Sequence, residues 1–152
     1  MRIDLLTVGR MKSGAFKDLF EDYSKRLQWQ VRLIEVESKI TDPVQQQQDE
    51  CSKLLQHIKP EARLFCMDER GKSLRSIEFA DTFKNMQLDG AAYCQFVIGG
   101  AMGLTDEIRG KANCLLSFGR QTWPHMMVRV MLIEQIYRSQ QILLGHPYHR
   151  EG

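Results

Sequence analysis

What this chain lacks narrows its class first. No apolar run approaches the ~20 residues that span a bilayer, so nothing in it reads as a transmembrane helix. Its four cysteines, Cys51, Cys66, Cys94 and Cys114, include no C-x-x-C pair, which removes paired-thiolate zinc sites and dithiol redox motifs. Three of them sit in apolar, strand-like runs and read as buried free thiols, which suit a reducing compartment. The opening residues Met1–Gly9 turn polar too soon for a signal peptide and read as a first strand, so the expected location is the cytoplasm. There is no G-x-G-x-x-G and no Walker loop, so neither standard phosphate cradle is present. A formal net charge of only +2 rules out an indiscriminate polycation.

What is there is an ordinary globular composition, 43% hydrophobic and 26% charged over 152 residues, which predicts one domain spanning 1–152. The charge is uneven. Up to Ile108 the chain has fifteen Lys and Arg against seventeen Asp and Glu, whereas Arg109 to Gly152 has six against two. Three of the four histidines also lie in that last stretch. Such a cluster suits an anionic partner such as RNA, and equally suits a solvated, mildly basic face.

Strand and helix patterns alternate along the chain. Strands are expected at Arg2–Val8, Val31–Val36, Ala62–Met67, Tyr93–Ile98 and Cys114–Ser117. The third is expected to end at the turn-forming run Asp68-Glu69-Arg70-Gly71-Lys72. Phe16, Leu19, Phe20, Tyr23 and Leu27 recur at helical spacing. Asp42 and Pro43 open a second helix, whose Gln45–Gln48 run reads as a solvated face. Ser76 is expected to cap a third, Thr105 or Asp106 starts a short one, and Pro124 opens a long last helix reaching about Leu144. This βα repetition predicts an α/β fold with a mainly parallel sheet and helices on both faces. Ligands in such sheets sit at the carboxyl ends of the strands. The loops after Met67, Ile98 and Ser117 should therefore meet along one edge.

Those loops and the tail hold the candidate chemistry. Gly99, Gly100 and Gly103 let backbone approach a ligand closely, or simply make a tight turn. The polar loop Phe118–Trp123 is longer than a minimal turn needs. The last helix is apolar nearly all round, which points to burial on more than one side and to a subunit interface. His125 and Arg129 share its first turns, and Glu134 and Arg138 are spaced to pair. The ending His146-Pro147-Tyr148-His149-Arg150 carries groups that can stack, move a proton and pair with an anion, or else is a disordered basic end. His146 and His149 have no third ligand in a fitting place, so no metal is expected.

Phe96–Leu104, Leu116–His125, Arg129–Arg138 (RVMLIEQIYR) and Pro147–Arg150 (PYHR), in this order, resemble the SPOUT-class methyltransferases. Within that class they resemble the small family that methylates N3 of a pseudouridine in large-subunit (23S) ribosomal RNA. The resemblance implies a C-terminal trefoil knot (the α/β knot) and S-adenosylmethionine as cofactor. It places Met67, Gly99, Phe118, Gly119, Arg120, Gln121, Thr122 and Trp123 around the cofactor. It further implies a homodimer packed through the last helix, with the tail of one subunit completing the site of the other, and a substrate that is the assembled ribosome. On this likeness His149 is the candidate base or proton relay, Arg150 the candidate stabiliser of the base anion or of a phosphate, and Tyr148 a group to stack on or hydrogen-bond the target. Arg129, Arg138 and His125 are candidates for contacting RNA or organising the tail. Rival readings are a related knotted methyltransferase acting on transfer RNA, a non-catalytic ribosome-associated binding protein, and a generic nucleotide-binding module.

Overall fold

The computed structural model describes residues 1–151. Five strands, β1 (Arg2–Val8), β2 (Gln30–Val36), β3 (Arg63–Lys72), β4 (Tyr93–Ile98) and β5 (Cys114–Leu116), form one sheet in the order β2-β1-β4-β3-β5, every pairing parallel. The helices are α1 (Ala15–Arg26), α2 (Pro43–His57), α3 (Ser76–Leu88), α4 (Asp106–Lys111) and α5 (His125–Leu143).

Strand sequence dictates the layering. Ile3 and Leu5 of β1, with Cys94, Phe96 and Ile98 of β4, point to one side, where Phe20 of α1, Phe79 and Phe83 of α3, and Leu132, Ile133 and Ile136 of α5 close over them. Leu6, Val8, Cys66 and Val97 point to the other side, against Cys51 and Leu54 of α2 and Ile108 of α4. Central parallel strands are covered on both faces, which is why β1 and β4 read as apolar runs while the edge strand β2 alternates. Three helices therefore lie on one face and two on the other. Burial pushes the Cys66 and Cys94 thiols up to about 12, so both are inert packing groups.

Local chemistry explains the boundaries. Asp42 accepts from the Gln45 amide (3.0 Å) and Pro43 supplies the first helical residue of α2. Ser76 does not cap α3. The capping position is Arg75, whose backbone N–H donates to Glu78 (2.7 Å), while the Ser76 hydroxyl donates to Gln135 of α5 (2.8 Å).

The third strand does not stop at Met67. It continues to Lys72 through a register shift in which both Met67 and Lys72 face Leu116. The turn-forming residues Asp68–Gly71 make a bulge within the strand rather than its end. Gly71 is required where β5 passes, because a Cβ there would lie 2.5 Å from the Leu116 nitrogen. The bulge turns Asp68, Glu69 and Arg70 toward the carboxyl edge of the sheet.

Candidate active site

Parallel pairing brings the carboxyl ends of β3, β4 and β5 together, and with them the loops they feed. A cleft of about 660 Å³ opens there, a size suited to a small-molecule ligand. The β3 bulge (68–70), the glycine loop (99–103), the loop after β5 (117–124) and His125 and Val128 of α5 line it. The cleft floor is apolar: Met67, Ile98 and Leu116.

The glycine loop is tight and braced. The Gly103 amide donates to the Gly100 carbonyl (2.9 Å). A Cβ on Gly99 would lie 2.8 Å from the Gly103 carbonyl carbon, and one on Gly100 would lie 2.6 Å from Glu50 Oε2. Glu50 is a carboxyl of α2, buried at 7% exposure. Burial first, and then the nearby Asp49, push its pKa up. Beside it the Gln47 amide donates to the Met102 carbonyl (2.8 Å). The glutamine run is thus more than a solvated face, since Gln47 turns inward to hold the loop. From the other side Arg109 reaches Asp68 (3.3 Å), Asp106 (2.6 Å) and the Leu104 carbonyl, tying the β3 bulge to the glycine loop.

The loop after β5 holds itself. The Gly119 amide donates to Ser117 Oγ (3.1 Å), and the Trp123 indole N–H donates to the Phe118 carbonyl (3.2 Å). Of the expected cofactor contacts, Met67, Gly99, Phe118, Gly119, Gln121, Thr122 and Trp123 line the cleft, whereas Arg120 is exposed and does not line it.

His125 also lines the cleft, and burial together with Arg129 keeps its pKa below the ordinary value, so it is neutral near pH 7. Arg129 is not a surface group. At 0% exposure it reaches Glu35 of β2 (2.9 Å) and the carbonyls of Val8 (2.6 Å) and Gly9 (2.7 Å). It bridges the ends of two strands and is inaccessible to RNA in this chain.

The tail is ordered against α5. Arg138 pairs with Glu134 (2.5 Å), lies over the Tyr148 ring, and donates to His149 Nδ1 (3.2 Å). Tyr148 donates to Glu134 (3.1 Å) and packs edge-on against Tyr137. Burial, with Tyr23 and Glu134, raises the Tyr148 pKa, so its hydroxyl stays protonated. Arginine can only donate, so in a neutral His149 the proton sits on Nε2, which faces Glu151 (3.1 Å). The ring has no free acceptor in this arrangement. Arg75, the residue that caps α3, meets Glu151 and completes the mooring. Tyr148, His149 and Arg150 do not line the cleft of their own chain.

Half of the six cations of the last third are thereby spent internally. Arg109, Arg129 and Arg138 each pair with carboxylates. Sequence reasoning also missed Gln47, Glu50, Glu35 and Arg109. Only Gln47 and Glu50 left a trace, as polar residues on the stripe that runs to Cys51 and Leu54.

Comparison with known proteins agrees with this geometry. A family described as "Predicted SPOUT methyltransferase" matches residues 1–149. The chain is 49% identical over 151 residues to the ribosomal RNA large subunit methyltransferase H of Rhodospirillum centenum, covering 99% of each chain. It is 42% identical over 152 residues to the protein of that name from Paramagnetospirillum magneticum, again covering 99% of each. Its fold is similar to that of a probable methylase family protein from Haemophilus influenzae, with a TM-score of 0.57 at 13% identity, covering 99% of this chain and 70% of the other. With a cleft built from strand-end loops and a family match along almost its whole length, the chain belongs to the SPOUT methyltransferases.

Proposed function

We propose that this protein methylates N3 of a pseudouridine in 23S ribosomal RNA within the assembled ribosome, as a knotted homodimer with composite sites. One observation carries the reading: a backbone-rich cleft and an ordered Tyr148-His149-Arg150 tail lie apart in the same chain. The names of the relatives support the RNA substrate. The half-buried Met126, Met127, Val130 and Met131 of α5 support a dimer. So do the exposed Phe16 and Leu19 of the adjoining α1.

S-adenosylmethionine is the methyl donor of SPOUT methyltransferases, and bound in this cleft it would supply an electrophilic methyl carbon on a sulfonium. The residues present fit it. The volume suffices, Met67, Ile98 and Leu116 offer an apolar floor, and a side chain at Gly99 would close the approach to backbone. Phe118, Gly119, Gln121, Thr122 and Trp123 would hold its remaining groups.

Displacement at the methyl carbon is mostly a matter of alignment, so the loops act by positioning. The acceptor N3 is a weak nucleophile while protonated. His149 would take that proton once its ring has turned away from Arg138, leaving the N3 electron pair free to displace the methyl group from the sulfonium sulfur. Arg150 stabilises the anionic ring, and Tyr148 stacks on it. Glu134 and Arg138 hold the tail in reach.

The test is transfer of labelled methyl from S-adenosylmethionine to unmodified ribosomes, isolated subunits and transfer RNA, with the product mapped by mass spectrometry. Label at N3 of a 23S pseudouridine is expected. Label only in transfer RNA favours the rival enzyme. Binding to ribosomes without label favours the non-catalytic reading.

A further inference from the structure

The cations that remain free point to a second feature. Among the described residues Arg10 and Lys12 form no ion pair, and both are exposed. They belong to the short loop between β1 and α1, on the same sheet edge as the cleft. That loop is held unusually firmly. The Gly9 amide donates to the Val36 carbonyl (2.8 Å). The Met11 amide donates to Glu35 Oε2 (2.5 Å), and the Met11 side chain is buried in the core. The same Glu35 oxygen takes Arg129, whose guanidinium also binds the Val8 and Gly9 carbonyls.

Burying an arginine costs stability, and a buried pair is commonly no more stable than well-packed apolar residues. Here the guanidinium Nε even lacks a partner. What the pair supplies is position. It fixes residues 9 and 11, so Arg10 projects between two anchored neighbours and Lys12 follows. The loop also abuts the cleft: a Cβ on Gly9 would lie 3.6 Å from Nε2 of the cleft residue His125. Among the described residues no carboxylate pairs with either cation, and Glu35 is spent on Arg129 and Met11. The next loop along the edge carries Glu37 and Lys39, which balance each other.

We infer that Arg10 and Lys12 form a rigid clamp for the RNA phosphate backbone beside the methyl-transfer cleft, with Glu35 and Arg129 as its positioning pair. The inference rests on the proposed ribosomal RNA substrate and deepens it. An anchored loop presents the two cations to phosphate without first losing backbone freedom, and each phosphate they neutralise adds to the salt dependence of binding.

The experiment compares wild type, Arg10→Ala/Lys12→Ala and a control, Lys59→Ala/Lys84→Ala, which removes two exposed lysines away from the cleft. Each full-length protein is titrated against unmodified ribosomes over a range of salt, and KM and kcat for methyl transfer and the Kd for S-adenosylmethionine are measured. The clamp variant should raise the ribosome KM by roughly 10-fold or more and lower the salt slope by about 1.5 to 2. Its kcat at saturation, cofactor Kd and Tm should match wild type, and the control should keep the wild-type slope. An active wild type with an unchanged KM and slope in the clamp variant overturns the clamp alone. So does a control that lowers the slope equally. A wild type that neither binds ribosomes nor transfers methyl overturns the substrate reading, and the clamp with it.

Discussion

At the amino ends of the strands, charge is matched inside the sheet. Strand register sets Asp4 of β1 between Arg32 of β2 and Gln95 of β4. Asp4 then takes Arg32 (2.9 Å), the Tyr93 hydroxyl (2.6 Å) and Arg2 (3.6 Å), while Gln95 bridges to the His57 carbonyl and the Lys59 amide. At the carboxyl ends, Glu50 is buried without such partners, and Arg10, Lys12, Arg70 and Arg120 have no carboxylate within pairing distance among the described residues. One edge has its polar groups satisfied and serves stability. The other leaves backbone, cations and a carboxyl uncommitted, which is what a ligand edge needs. The contrast teaches that the fold assigns its electrostatic cost by edge rather than by distance from the core.

The largest test of that division is at the tail. His149→Ala should lower kcat for methyl transfer by roughly 100-fold or more, the usual contribution of a positioned base. It should leave cofactor affinity and Tm nearly unchanged, because the ring packs at the chain end. Full activity on intact ribosomes would remove His149 as the proton acceptor. At the opposite edge Asp4→Ala should cost about 1–3 kcal/mol in denaturant unfolding, through the stranded Tyr93 and Gln95 groups. Its specific activity per folded molecule should be that of wild type, and a fall in that activity would break the comparison.

Gly99→Ala should come next. Its Cβ would meet backbone at 2.8 Å, so the loop itself must move, and cofactor binding should weaken about 10-fold. Gly100→Ala should do less, because its obstacle is the end of the Glu50 side chain, and Glu50→Ala should restore binding in the double variant. Calorimetric titration with S-adenosylmethionine distinguishes the two. Equal losses, or no rescue, would mean that Glu50 does not brace the loop.

Much of the architecture was legible because local and global signals agree: apolar runs for central strands, Asp42-Pro43 for a helix start, βα alternation for the parallel sheet. The β3 extension was not, since Asp68-Glu69-Arg70-Gly71 carries the same residues whether it turns or bulges. The deciding contact is the β5 backbone at Leu115 and Leu116, distant in sequence and adjacent only in space. For the cleft, the βα alternation was enough to predict that three strand-end loops converge. Arg129 shows the limit. Its partners Glu35, Val8 and Gly9 belong to the other end of the chain, so a count of charges in the last third assigned to the surface a guanidinium that lies at 0% exposure.

The finest comparison sets the two buried carboxyls against each other through pH. Burial opposes ionisation of Asp4, but Arg32, Tyr93 and Arg2 outweigh it and hold its pKa below the ordinary 3.8. Its stabilising contribution is therefore present above that value and lost as pH falls through the lower, folded one. Glu50 has the opposite sign. Its pKa is raised above 4.5, so its neutral form fits the fold in acid, and that benefit is lost as pH rises through the raised value. Unfolding midpoints from pH 3 upward should therefore diverge. The deficit of Asp4→Asn should shrink toward acid, whereas Glu50→Gln should match wild type in acid and gain on it toward neutrality. Parallel profiles for the two variants would mean that both carboxyls are equally solvated, and the two edges would then differ in geometry but not in electrostatics.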